Sequence, residues 1–247
     1  MAQTLSSAIA WWARMRPDQP AVVLGGDRLT YADYHGWSGR VAAMLEAEGL
    51  QPGERVAICA ANSLAYCALI MGIIRAGGIV NPVNFRFTPR EIRDLCETSE
   101  PRFAFAGSEF ADNMIAAGLA PRPMADVEAL RHGVPAQVAH DPDPDAPVVI
   151  IATSGSTAKP KGVVYTNRSM TAYAANWALE ETASSPGARV ISLAPLNTSA
   201  GFVQLIHYTT QGCTIFMEPA FVPEAMLRLL QDEKIKCIGA VPAFFEA

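Results

Sequence analysis

Apolar positions along the chain keep two rhythms, one recurring every three to four residues and one in short unbroken runs, and their alternation predicts helices between strands. Residues 5–15 place Ala8, Ile9, Trp11, Trp12 and Met15 at near-helical spacing and stop before Pro17. The tryptophans of this first helix are expected to pack onto the domain surface. Residues 21–24, the turn formers Gly25, Gly26 and Asp27, and residues 28–30 predict a tight hairpin, because the glycines supply its positive-φ positions. Thr30 then caps a helix reaching about Glu48, with Tyr34, Trp37, Val41, Met44 and Leu45 on one stripe and Gly49 and Pro52 as its stop.

Residues 55–60 predict a buried strand, Asn62 and Ser63 the cap of an apolar helix ending at Ala76, and Ile79 and Val80 the strand that completes a parallel β-α-β unit. Thr88-Pro89-Arg90-Glu91 is a capping box with proline at the first helical position, and Ile92 and Leu95 face inward behind it. A strand at 102–106 continues the alternation, whereas 108–132 is less regular and carries no visible chemistry. A stiff acidic connector at 141–147 leads into the apolar run 148–151. After a second run at 163–165, Asn167 or Ser169 is expected to cap a helix to about Glu181. Strand 189–194, helix 201–211, strand 213–217, helix 223–231 and strand 236–241 follow. The predicted fold class is α/β with stacked β-α-β sheets. A first subdomain is expected over 1–166, ending in the hairpin around the linking loop, and the start of a second over 167–247.

Composition supports a globular chain: of 247 residues, 50% are hydrophobic and 17% charged, enough to bury a sizeable core. The 19 basic residues are scattered and outnumbered by 24 acidic ones, a net charge of −5, so no basic field for nucleic acid exists. Cys59, Cys67, Cys96, Cys213 and Cys237 are widely spaced and lack a C-x-x-C pair, which points to reduced buried thiols in a cytoplasmic protein and to no metal site. The N-terminus has no basic and apolar secretory pattern. The apolar run at 66–74 is about half of the ~20 residues a membrane span needs, so it is expected to be a core helix.

Chemistry concentrates at Thr153, Ser154, Gly155, Ser156, Thr157, Ala158, Lys159, Pro160, Lys161 and Gly162, between the two apolar runs. Hydroxyls, backbone N–H groups on a freely curving backbone and two cationic ends are what a polyphosphate requires. The spacing is not that of a Walker A loop, and the β-branched Val163 and Val164 favour a strand after it, so the loop joins two strands. A solvated basic hairpin is the plain alternative.

Thr-Ser-Gly-Ser-Thr-x-x-Pro-Lys-Gly-Val resembles the ATP-phosphate loop of the adenylate-forming superfamily, with Ala158 where glycine is usual. The Gly77-Gly78-Ile79-Val80-Asn81-Pro82-Val83-Asn84 stretch resembles its acyl-CoA synthetase branch. The resemblance implies an N-terminal portion of an enzyme that activates a carboxylic acid with ATP and Mg²⁺ and transfers the acyl group to CoA. It implies phosphate contacts from Thr153, Ser154, Gly155, Ser156, Thr157, Lys159, Lys161 and Gly162. Homodimerisation is implied by resemblance alone. The family's adenine and magnesium segment, and the small C-terminal domain with its catalytic lysine, would follow Val241-Pro242, so truncation is expected and no catalytic residue is assigned.

Pro195-Leu196-Asn197-Thr198-Ser199-Ala200-Gly201 stands where relatives carry an aromatic-His segment beside the carboxylate substrate, so Asn197, Thr198, Ser199 and Gly201 are candidate substrate-pocket residues. An ordinary turn with Thr198 or Ser199 as N-cap is the alternative, and isolated His207 is expected to be packed. Three rival readings stay open: a non-enzymatic nucleotide-binding module, a structural module derived from the family, and an acyl-AMP ligase that loads a carrier protein.

Overall fold

The structure is a computed structural model that describes residues 4–136, 138, 143–153, 161–180, 184–218 and 222–239, with the backbone alone at Thr153, Lys161 and Glu180. Helix α1 (Leu5–Met15) opens on a capping box in which Thr4 and Ser7 exchange bonds. Strands β1 (Pro20–Leu24) and β2 (Asp27–Thr30) form the predicted hairpin, with Gly25 and Gly26 at φ 56° and 90°. Helix α2 (Tyr31–Ala47) starts on the Thr30 cap. It is followed by β3 (Arg55–Cys59), α3 (Leu64–Arg75) and β4 (Ile79–Pro82). Helix α4 (Pro89–Ser99) has the expected Thr88–Glu91 capping box and buries Ile92 and Leu95.

Next come β5 (Pro101–Ala106), the short α5 (Ala111–Ala116), β6 (Arg122–Pro123) and α6 (Met124–Glu128). The second half holds β7 (Pro147–Thr153), β8 (Lys161–Thr166), α7 (Asn167–Glu180), β9 (Arg189–Ser192), α8 (Ser199–Thr210), β10 (Thr214–Met217), α9 (Pro223–Asp232) and β11 (Cys237–Gly239). One cap departs from expectation. Strand β8 runs straight into α7, so Thr166 is the pivot: its Oγ1 accepts from Ser169 N at 3.2 Å and its N donates to Ser169 Oγ at 2.8 Å. Asn167 instead accepts from Leu5 N at 3.2 Å and donates to the Asp143 carbonyl at 3.2 Å, tying α7 to the first helix.

The strands form two sheets, one in the order β6-β5-β3-β4-β7-β8 and one in the order β11-β9-β10-β1-β2. Neighbours are parallel except at the edges, where β8 and β2 close hairpins. A cut at residue 166 therefore leaves β1 and β2 apart from the later strands of their own sheet. The main core runs from Val22 and Ile215 of one sheet through α2 and α3 to Val56 and Val149 of the other. Every residue of α3 is buried, which is why the run at 66–74 lacks a polar face. No disulfide joins the described cysteines, and four of the five are buried. Among the described residues no helix is long and apolar enough to cross a membrane.

Candidate functional site

The hairpin of β7 and β8 holds its antiparallel register to the last two described pairs, Ala152 opposite Gly162 and Thr153 opposite Lys161. Ser154, Gly155, Ser156, Thr157, Ala158 and Lys159 lie outside the described residues, and nothing beyond backbone is described for Thr153 and Lys161. Gly162 has a packing reason: a Cβ there would stand 2.5 Å from Ile150 Cγ2 on the facing strand. Because β7 is parallel to β4, and β4 to β3, the chain leaves β7 at the same sheet edge as it leaves β3.

Both sheets reverse their order at one strand. Strand β4 lies on one side of β3 and β5 on the other, and β10 and β11 flank β9 in the same way. Such a reversal sends successive connections to opposite sides and opens a crevice at the carboxyl ends, where ligands of open α/β sheets bind. The two loops at these reversals are joined through Asn62. Its Oδ1 accepts from Leu196 N at 2.8 Å and its Nδ2 donates to the Ala194 carbonyl at 3.5 Å. Asn62 was expected beside Ser63 as a cap; Ser63 takes that role, accepting from Tyr66 N at 3.1 Å. A polar residue between a strand and a cap is the sole sequence signal for the link.

The loop after β9 gathers the second set of candidates. Thr198 caps α8: its Oγ1 accepts from Gly201 N at 3.2 Å and donates to the Pro195 carbonyl at 2.7 Å, so its hydroxyl is committed locally. Gly201 lets the first turn of α8 press on the loop, since a Cβ there would lie 2.2 Å from Pro195 O. Ser199 and Ala200 are exposed and border a cavity of about 400 Å³ between α7 and α8, walled by Tyr165, Tyr173, Trp177 and Val203. That volume lies within the ~300–1,000 Å³ range of small-molecule sites. Asn197 is buried with neither amide atom paired.

His207 is packed as expected. Its Nδ1 lies 3.1 Å from the Ala174 carbonyl and its Nε2 3.2 Å from Ser184 Oγ, so it joins α8 to α7. A larger trough of about 910 Å³ on another face of α7, walled by Trp11, Trp12 and Ala175, contains none of the candidate residues. Trp12 Nε1 donates to the Thr210 carbonyl at 2.9 Å, anchoring α1 on the end of α8. Among the described residues no three His, Cys, Asp or Glu side chains stand together as a metal would require.

Comparison with known proteins agrees with this arrangement. The chain is 31% identical to the fatty acid–[acyl-carrier-protein] ligase ScoC of Streptomyces coeruleorubidus, over 98% of this chain and 48% of that one. It is 32% identical to a feruloyl-CoA synthase of an Amycolatopsis species, over 95% of this chain and 48% of that enzyme. It thus spans about half the length of the curated relatives it matches. The N-terminal domain of FACL13 from Mycobacterium tuberculosis superposes with a TM-score of 0.90 at 25% identity, covering 99% of this chain and 64% of that one. The model of the AMP-binding enzyme family matches residues 9–247, and the chain belongs to that family.

Proposed function

We propose that this chain is the nucleotide- and acid-holding part of an ATP-dependent acid–thiol ligase. A carboxylate oxygen of the acid attacks the α-phosphorus of ATP, the bond to pyrophosphate breaks, and the acyl group then passes to the thiol of CoA with AMP leaving. The observation that carries this reading is the shared edge: the chain leaves β7 for the Ser/Thr/Lys loop at the edge where Asn62 ties the loop after β3 to the loop after β9. In this reading phosphates and carboxylate meet at that end of the two sheets.

In this reading the hydroxyls of Ser154, Ser156 and Thr157 donate to phosphate oxygens, and Lys159 and Lys161 offset the charge gathering on departing pyrophosphate. Each preorganised donor is worth roughly 10²–10³ in rate once water is excluded. The hydroxyl, glycine and lysine set suits a polyphosphate; Mg²⁺ would accompany ATP and neutralise phosphate charge, and no described residue is assigned to it. The cavity beside Ser199 and Ala200 takes the body of the acid.

The test is pyrophosphate release by the complete protein across a panel of carboxylic acids, with thermal stability measured in ATP·Mg²⁺. A nucleotide-dependent rise in Tm that vanishes in Thr157→Ala and Lys161→Ala, with acid-dependent pyrophosphate, is expected. No pyrophosphate with any acid would refute the activity. A carrier-protein thiol is the second reading for the acceptor, supported by the similarity to a ligase named for an acyl-carrier protein. Thioester formed on a holo-carrier protein and absent with CoA would select it.

A further inference from the structure

Asn197 is 5% exposed, and neither its Oδ1 nor its Nδ2 has a hydrogen-bond partner. Buried side-chain amides are ordinarily satisfied, because a group withdrawn from water recovers its lost hydrogen bonds only from a new partner. Among the described residues, it alone has two such orphaned atoms.

The polar groups of the loop around it are already engaged. The Pro195 carbonyl already receives both the N–H and the O–H of Thr198, and Leu196 N donates to Asn62. The Thr198 oxygen accepts from Gly201 N. The loop is therefore held at Pro195, Leu196 and Thr198, while the NH₂ group and the carbonyl oxygen of Asn197 are held in reserve. They stand in the loop leaving β9, at the strand reversal and two residues before Ser199, which borders the cavity.

The chemistry of the missing partner follows from the pair of atoms. A carboxylate only accepts: it would satisfy Nδ2 and set its negative charge against Oδ1. An ammonium only donates and leaves Nδ2 facing a cation. A neutral group that both donates and accepts, as a hydroxyl or a primary amide does, satisfies both atoms. Resting on the acid–thiol ligase reading, we infer that Asn197 is a specificity-determining residue that pairs with such a neutral group on the body of the acid, separate from the reacting carboxylate.

The experiment compares acids that differ by one such group, in the complete protein and in Asn197→Leu: benzoate with 3- and 4-hydroxybenzoate, butyrate with 3-hydroxybutyrate, hexanoate with 6-hydroxyhexanoate, and 4-methylpentanoate with its amide isostere succinamate. A site built to pair with a polar group rejects the analogue lacking it by large factors, ~10⁴–10⁵ at the extreme. For at least one pair the wild type is expected to favour the polar acid by about 100-fold or more in kcat/KM, and Asn197→Leu to reduce that preference at least tenfold.

Equal use of both members of every pair by the wild type overturns the inference. So does an Asn197→Leu variant that melts higher yet keeps the preference, since Asn197 would then be only a structural defect. Asn197→Asp, which keeps size and the acceptor but loses the donor, replaces the leucine variant if that one does not fold; it too must lose preference. If no acid yields pyrophosphate, the ligase reading fails, and calorimetric binding of the same pairs decides the role of Asn197 separately.

Discussion

Gly201 offers a test in which local and tertiary physics predict opposite signs. It is the third residue of α8, and by helix propensity alone alanine there should stabilise the protein by roughly 0.5–1 kcal/mol. The tertiary structure says otherwise: an added Cβ would lie 2.2 Å from Pro195 O, 2.6 Å from the Pro195 carbonyl carbon and 2.7 Å from Ala194 O. These are backbone atoms that cannot rotate away. The loop carrying them is pinned by the two bonds to the Pro195 carbonyl and by Asn62. Overpacking of this kind costs about 3 kcal/mol, and displacing the loop gives up one or two hydrogen bonds at about 1 kcal/mol each. Subtracting the propensity gain leaves a net loss of about 3–4.5 kcal/mol. For a chain of this size that corresponds to a Tm lower by about 6–18 °C.

The assay is thermal and urea unfolding of Gly201→Ala beside Gly36→Ala in α2, where the added Cβ meets no backbone atom, only Arg40 Nη1 at 3.3 Å. That guanidinium is itself held by the Leu130, Arg131 and Gly133 carbonyls, so the control is expected to lose stability, but less than Gly201→Ala. A Gly201→Ala protein that melts at or above wild type would refute the close-approach argument.

Asn62→Ala should cost about 1–2 kcal/mol in urea unfolding and raise the KM for the acid more than that for ATP; unchanged stability and KM would remove Asn62 as the clamp between the loops. Burial, and after it the Arg75 guanidinium, push the imidazole of His35 down to about 4 from 6.5. The unfolded chain therefore takes up that proton first, so the stabilising contribution is complete above about pH 6.5 and is lost as pH falls toward 4. His35→Gln should flatten this part of the acid limb, and a variant with the wild-type slope between those values would contradict the assignment. Burial also pushes the thiols of Cys59 and Cys67 up to about 12 and that of Cys96 to about 11. At pH 8 these three should react with Ellman's reagent only in denaturant; modification of any of them in the native protein, mapped by mass spectrometry, would count against their burial.

Much of the secondary structure was legible because its signals are short. The capping residues Thr30, Ser63 and Thr88, the hairpin at Gly25 and Gly26, and the apolar character of α3 all lie where the residue pattern places them. The cap of α7 was missed because three of four successive residues, Thr166, Asn167 and Ser169, carry suitable oxygens, and only the direct passage from β8 selects Thr166. Thr198 was legible as a residue of interest, but its alternative role as an N-cap is the one its hydroxyl performs. Asn62 was read as part of the cap that Ser63 forms and not as a link, since its partners are 132 and 134 residues away.

The sequence by itself determined the alternation of helices and strands, the boundaries set by caps and glycines, and the family, because these depend on near neighbours or on an ordered motif. Tertiary structure alone decided that β1 and β2 join the sheet of the later strands, that both sheets reverse order at β3 and β9, and that Asn62 joins the loops there. It also decided that Gly201 must lack a side chain and that Asn197 is buried without a partner. Periodicity and capping are interactions over three or four residues, whereas strand order, close approach and burial depend on which distant surfaces exclude water together, and no local pattern encodes that choice.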